Sequence, residues 1–180
     1  SRDCVFTGRE RHVENARADF TPYPQRAIRT HDHVLIMNFR PDRWPLGDPY
    51  RLEDGPEPTQ QELETNTRLT LPDEDAGPTK AWLIQSRRKD SWKMLFEQVY
   101  GKRPYIELFN TKQDPSEMHN LAGEEQYAAV EEELTKSLLN EMRRTGDPRL
   151  IREGEFYEMP PMAGPLKEKS PGWKNQKRKP

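Results

Sequence analysis

The stretch "QRAIRTHDHVLIMNF", residues 25–39, decides the fold. It holds two β-type runs, residues 25–30 and 33–39, on either side of His31-Asp32. The second run alternates weakly and is rich in Val, Ile and Phe, as a half-buried strand should be. The pair predicts an antiparallel hairpin with a tight turn near 31–32. Working outward, residues 3–7 read as a short strand that stops at Gly8, and "PYIELFN" (104–110) reads as another.

Two helical patterns stand beside these strands. One runs over about 79–100, with Thr79 as a cap and Ile84, Trp92, Leu95, Phe96 and Val99 at roughly helical spacing, before Gly101 stops it. The other runs over about 124–144, with Tyr127, Val130, Leu134, Leu138 and Met142 on one face and Gly146-Asp147-Pro148 as its end. "DPSE" (114–117) carries a helix-start signal, with Asp114 as cap, Pro115 at the first position and Glu117 reaching back. The expected fold class is therefore α+β: a small antiparallel sheet packed by two longer helices. Residues 1–150 form the expected structured part, opening with a strand and loop over 1–24. Residues 40–78 are expected to be a long loop, with Pro at 41, 45, 49, 56 and 58. A connection of about 40 residues is normally functional or disordered. Residues 151–180 lose periodicity and read as an irregular, mobile tail rich in Pro and Lys.

Composition bounds the function. The 180 residues are 32% hydrophobic and 33% charged, with 17 prolines. Such a chain has a modest core and depends on other surfaces to cover its apolar faces. The net charge of −2 implies no general affinity for nucleic acid, although Arg is concentrated before residue 45 and Lys in the last 15 residues. A single cysteine, Cys4, excludes an internal disulfide. No run of 18 apolar residues is present, so no helical membrane span is expected. The chain lacks an initiating Met and opens inside a strand-like run, which suggests a piece of a longer protein, and no signal peptide is visible.

The chemistry-bearing stretch is "VFTGRERHVENAR" (5–17), where Arg9, Glu10, Arg11 and His12 follow Gly8. Arginine presents a planar fork of donors that matches sulfate, phosphate and carboxylate. Arg9, Arg11 and His12 at a strand end can therefore grip an anionic ligand, with Glu10 orienting an arginine or accepting a hydroxyl. A solvated turn with incidental charge is the competing reading, because charge runs are usually surface. Arg26 and Arg29 lie three apart on a strand and so point to opposite faces. Arg40 and Arg43 lie in the Pro-stiffened loop with Trp44 beside them, as a carbohydrate or anion surface or as local packing. His31, Asp32 and His33 lack an evident fourth metal ligand and fit a hairpin turn better. His119 reads as structural, and Cys4 as a small apolar residue of a strand. No Gly-rich phosphate loop, GxSxG or CxxC is present, so the residues alone give an Arg-lined α+β module without a complete catalytic set.

"ELFNTKQDPSEMHNLA" (107–122) resembles the C-terminal phrase of the type I sulfatases, which reads roughly E-L-Y-D-x-x-x-D-P-x-E-x-x-N-L-A. Glu107, Leu108, Asp114, Pro115, Glu117, Asn120, Leu121 and Ala122 match it, while Phe109 and Asn110 replace the usual Tyr and Asp. "TGRERHVENAR", "YPQRAIRT", "NFRPDRWPLGDP", "PTKAWLI" and "YGKRPYIELFN" together resemble the heparan N-sulfatase (N-sulfoglucosamine sulfohydrolase) branch and its bacterial relatives, over about 1–145. The resemblance implies the C-terminal subdomain of an alkaline-phosphatase-like enzyme that hydrolyses sulfate or sulfamate groups of glycosaminoglycan-like sugars. It implies a parent that is periplasmic or secreted and uses Ca²⁺ and a formylglycine made from an upstream Cys in C-x-P-S-R. That motif is absent here, and Cys4 lies in no such context. No catalytic residue, metal ligand or cofactor is therefore expected on this chain. The implied partners are an N-terminal catalytic domain and a sulfated glycan. The implied substrate-binding residues are Arg9, Glu10, Arg11 and His12, with Arg26 of "YPxR" next. A non-catalytic glycan-binding module and a purely structural module are the alternatives.

Overall fold

The structure is a computed structural model that describes residues 3–53 and 55–158. The expected tail therefore lies outside the described residues from 159 onward. The described residues form two compact units. The first comprises residues 3–11, 23–41 and 103–158, and the second residues 12–22, 42–53 and 55–102.

The first unit is an antiparallel sheet of four strands in the order β1 (Val5–Arg9), β2 (Gln25–Arg29), β3 (His33–Asn38) and β4 (Ile106–Asn110). The β2–β3 turn closes as the hairpin reading requires, with Thr30 N donating to the His33 carbonyl at 2.8 Å. Strand alternation sends Ile28, Leu35, Met37 and Leu108 to one face. The long helix α4 (Ala128–Thr145) covers that face with Leu134, Leu138 and Met142, four residues apart and all buried. Each such side chain contributes about 1.5–3 kcal/mol when fully removed from water. Cys4 is half-buried against the same core and is a free thiol. Gly146 ends α4 at φ 67°, a left-handed geometry that suits glycine. The Asp147 N–H then returns to the Met142 carbonyl at 2.8 Å, which turns the chain back toward the sheet. Residues 148–158 continue as two short 3₁₀ turns and a single helical turn, α5 (Glu155–Glu158).

"DPSE" does not start a helix. Asp114 instead closes a turn, its Oδ2 accepting from Met118 N at 2.7 Å and His119 N at 2.8 Å. Glu117 stands at φ 53°, outside a right-handed helix, and pairs with Arg29. The turn delivers Asn120, whose Oδ1 accepts from Leu108 N at 2.8 Å and Ala122 N at 3.0 Å. Leu121 N reaches the Leu108 carbonyl at 2.8 Å, so the segment is tied to β4 like a short extra strand.

The second unit contains α1 (Gln60–Thr65), α2 (Pro78–Ser86) and α3 (Asp90–Tyr100). The single helix expected over 79–100 is thus two, and Pro78, not Thr79, opens the first. Ile84 and Phe96 are twelve residues apart and would sit about 120° apart on one continuous helix. The break at 87–89 lets both enter the same core. The expected long loop is ordered and supplies that core. Leu63, Leu69 and Leu71 are buried with Ala81, Leu83, Ile84, Phe96 and Tyr100. Helix α1 starts at a capping box in which Thr59 and Glu62 satisfy each other. Burial pulls Lys80 to the centre, where its ammonium donates to the carbonyls of Thr67 (3.4 Å), Leu71 (3.0 Å) and Glu74 (2.7 Å). No helix among the described residues is long and apolar enough to cross a membrane.

Candidate functional site

The site begins with a glycine. Gly8 lies inside β1 rather than ending it, directly across from Arg26 of β2. A Cβ at position 8 would sit 2.9 Å from Cδ of Arg26. Glycine there lets the Arg26 side chain cross β1 and reach the residues just past the strand. It meets two carboxylates. Its Nε and Nη2 donate to the Asp147 oxygens at 2.5 and 2.9 Å, and Nη2 also donates to Glu10 Oε1 at 2.8 Å. Its Nη1 donates to the carbonyls of Gln25 (2.8 Å) and Arg9 (3.3 Å).

A second arginine closes the cluster. Arg149, in the turn after α4, grips both oxygens of Glu10, and its Nη1 donates to Glu158 Oε1 at 2.9 Å and the Glu153 carbonyl at 3.2 Å. Its side chain is 1% exposed. The Tyr157 ring lies 5.8 Å from the Arg26 guanidinium carbon and 5.4 Å from that of Arg149, within cation–π range. Gly154 makes room, because a Cβ there would collide with the Arg149 guanidinium. Two guanidiniums thus face three carboxylates, Glu10, Asp147 and Glu158. Burial pushes the Asp147 carboxyl up, but hydrogen bonds from Arg26 and the Arg149 N–H outweigh it, and its pKa falls below the ordinary value. Burial likewise opposes the charge on Arg26, and its bonds to Asp147 and Glu10 more than restore it.

Arg9, Glu10, Arg11 and Arg26 all lie in the first unit, and the structure joins Glu10 directly to Arg26. Arg9 is half-buried, its guanidinium 5.7 Å over the Tyr23 ring. It borders a shallow hollow of about 220 Å³ with Thr7, Gln25, Ala27 and Ile36. Arg11 donates to the Tyr157 carbonyl at 3.0 Å. His12 belongs to the second unit, two-thirds exposed, with Nδ1 3.7 Å from Asp73 Oδ1. Arg29 faces solvent with Glu117, opposite in exposure to Arg26, as strand parity requires. Arg43 donates to the Pro22 carbonyl, and Trp44 packs partly against the leucine core with Lys102 over its ring. Among the described residues, no group of three or more His, Cys, Asp or Glu could hold a metal ion.

Sequence reasoning missed Asp147, Arg149, Glu158 and Tyr157. Asp147 was visible only as part of a helix stop. Nothing in the spacing of Arg149 marks it as the most deeply buried arginine of this unit. The one available signal was compositional: an acid between two arginines, as at Glu10, needs a cation if it is buried.

No protein-family model matches the chain. An uncharacterized protein of Haemophilus influenzae is 37% identical over 62 residues, 34% of this chain. A solved structure, that of BT4656 in complex with its substrate D-glucosamine-2-N,6-O-disulfate, is similar over 84% of this chain at 16% identity and a TM-score of 0.40. The chain spans 29% of the length of the first protein and 18% of the second.

Proposed function

We propose that this chain is the C-terminal part of a sulfatase acting on sulfate or sulfamate groups of glycosaminoglycan-like sugars, in the manner of an N-sulfoglucosamine sulfohydrolase. The observation that carries this reading is the phrase at 107–122. Several of its matching residues carry the local structure. Asp114 closes the turn, Asn120 bonds the backbone of β4, and Leu121 and Ala122 pack against the sheet core. The residues that depart from the phrase, Phe109 and Asn110, keep a buried aromatic and a turn acceptor.

In this reading Arg9 and Arg11 meet sulfate or uronate groups, and His12 is a candidate from the same stretch. Glu10 and Arg26, bound to one another, hold that stretch in place. The nucleophile and the metal come from elsewhere in the parent: a formylglycine made from an upstream cysteine, and Ca²⁺ on upstream ligands. An N-terminal catalytic domain is the implied partner, and export to the periplasm or medium the implied location.

The test uses the full reading frame that contains this chain, assayed for sulfate release from N-sulfoglucosamine and from 6-O-sulfated glucosamine. Release from either supports the reading, and release from neither overturns it. Arg11→Ala should then raise KM about tenfold, the loss of one charge-assisted contact. An unchanged KM would remove Arg11 from the site.

A further inference from the structure

We infer that Arg149 is a positioning residue for the anion-facing arginines at the end of β1, acting with Asp147 and Glu158 as a strap that returns from α4. The inference rests on the sulfated-sugar reading above.

Three consecutive residues, Arg9 to Arg11, are each tied to the cluster or its strap. The Arg9 carbonyl accepts from Arg26, both Glu10 oxygens meet Arg149, and the Arg11 guanidinium donates to the Tyr157 carbonyl. The two ties on either side of Glu10 depend on elements set by residues 147–158. Asp147 orients the Arg26 fork through two bonds. Arg149 holds Glu10 on one edge and Glu158, the neighbour of Tyr157, on the other. Only a planar guanidinium spans two carboxylates and a carbonyl in this way, whereas an ammonium is a point charge. The Arg149 side chain is 1% exposed and meets no ligand itself, so it acts through Glu10 and Tyr157. Two of its features fit an evolved fit of strap to guanidinium. Gly154 stands at φ 77° with its missing Cβ against Arg149, and the Tyr157 ring covers both guanidiniums.

Arg149→Lys in the full-length protein tests this. Backbone hydrogen exchange at residues 9–11 should quicken about tenfold, while amides of α4 keep their rates. Unchanged exchange at 9–11 overturns the inference. KM for N-sulfoglucosamine should rise about tenfold with kcat within about twofold, the split expected when a binding group is displaced. A fall in kcat alone, in proportion to the folded fraction, is what a merely structural arginine gives and also overturns it. If Arg149→Lys does not fold, Glu158→Gln removes one arm of the strap and is read in the same two ways. If the wild type releases no sulfate from any sulfated sugar, the sulfatase reading fails, and the exchange rates alone decide whether Arg149 holds the stretch.

Discussion

The buried arginines of the first unit and the buried lysine of the second are neutralised by different means. In the first, Arg26 and Arg149 are neutralised by carboxylates, and each has one far away in sequence: Asp147 is 121 residues from Arg26, and Glu10 is 139 from Arg149. In the second, Lys80 bonds only carbonyl oxygens, all within 13 residues of it. The first arrangement staples distant segments. The second shapes one local loop around an ammonium, much as a bound cation would. Arg17, also of the second unit, combines both kinds of partner, donating to the carbonyls of Trp44 and Pro45 and pairing with Asp73. The difference teaches that a long, Pro-rich stretch can be as ordered as a sheet when a buried cation organises its carbonyls.

The largest expected effect breaks the second arrangement. Lys80→Met keeps the apolar stem but takes the ammonium from three carbonyls, two of them part-buried and the third, that of buried Leu71, left with only the Glu74 N–H at 3.2 Å. Each unpaired buried group costs on the order of 1–3 kcal/mol, partly offset by no longer burying a charge. The expected loss is about 3 kcal/mol. Urea unfolding followed by tryptophan fluorescence measures it, since Trp44, Trp82 and Trp92 all belong to this unit. A loss below about 1 kcal/mol would mean that the loop is shaped by its leucines and not by the ammonium.

The pH dependence separates the units by range. Burial lowers the Lys80 pKa to about 8, against opposing pulls from Glu74 and Asp75. Between that value and the ordinary 10.5, the unfolded chain binds more protons than the folded one, so stability rises with pH. Burial raises the phenols of Tyr50 and Tyr100 far above 10.0, helped by Asp48 at the first and Glu74 at the second. Above about pH 10 these hold protons that the unfolded chain loses, and stability falls again. The second unit should therefore gain about 2 kcal/mol from pH 8 to pH 10 and lose it beyond. In the first unit the lowered pKa of Asp147 works at the other end. Its contribution is present above the ordinary carboxyl value of 3.8 and is lost as pH falls through the lower folded value. Fluorescence melts at alkaline pH and circular dichroism at acid pH read the two limbs. An alkaline limb that only falls would remove Lys80 as a buried ammonium.

How much of this the sequence shows depends on the range of the interactions. The sheet and α4 are legible because their signals are periodic: Ile28, Leu35, Met37 and Leu108 alternate, and Leu134, Leu138 and Met142 recur every four residues. The α2–α3 break was hidden because Ile84 and Phe96 each fit a helix, and only the core they share reveals the changed phase. Leu63, Leu69 and Leu71 sit among prolines and acids, where no period betrays burial. The opening cluster was legible as to residue types, since Arg9, Glu10, Arg11 and Arg26 are near neighbours in the first unit. Its far half was not. Ion pairs between residues 10 and 149 leave no local pattern, and a buried arginine looks like a surface one until its carboxylates are placed around it.

The smallest effect tests whether exposure, rather than ion pairing as such, decides what a charge is worth. Arg29 and Glu117 approach to 2.9 Å, as close as the buried pairs, but their side chains are 56% and 32% exposed. Water and salt screen such a pair, and its net value is about 0–1 kcal/mol. Glu117→Gln should shift stability by less than about 0.5 kcal/mol, with the shift shrinking further in about 0.5 M salt. Glu117 also stands at φ 53°, a cost that Gln retains, so the variant isolates the charge. Glu117→Gly removes both charge and strain. Should it prove more stable than Glu117→Gln, the turn at 114–122 is held by Asp114 and Asn120 in spite of its strained residue, and the pair to Arg29 adds little to either.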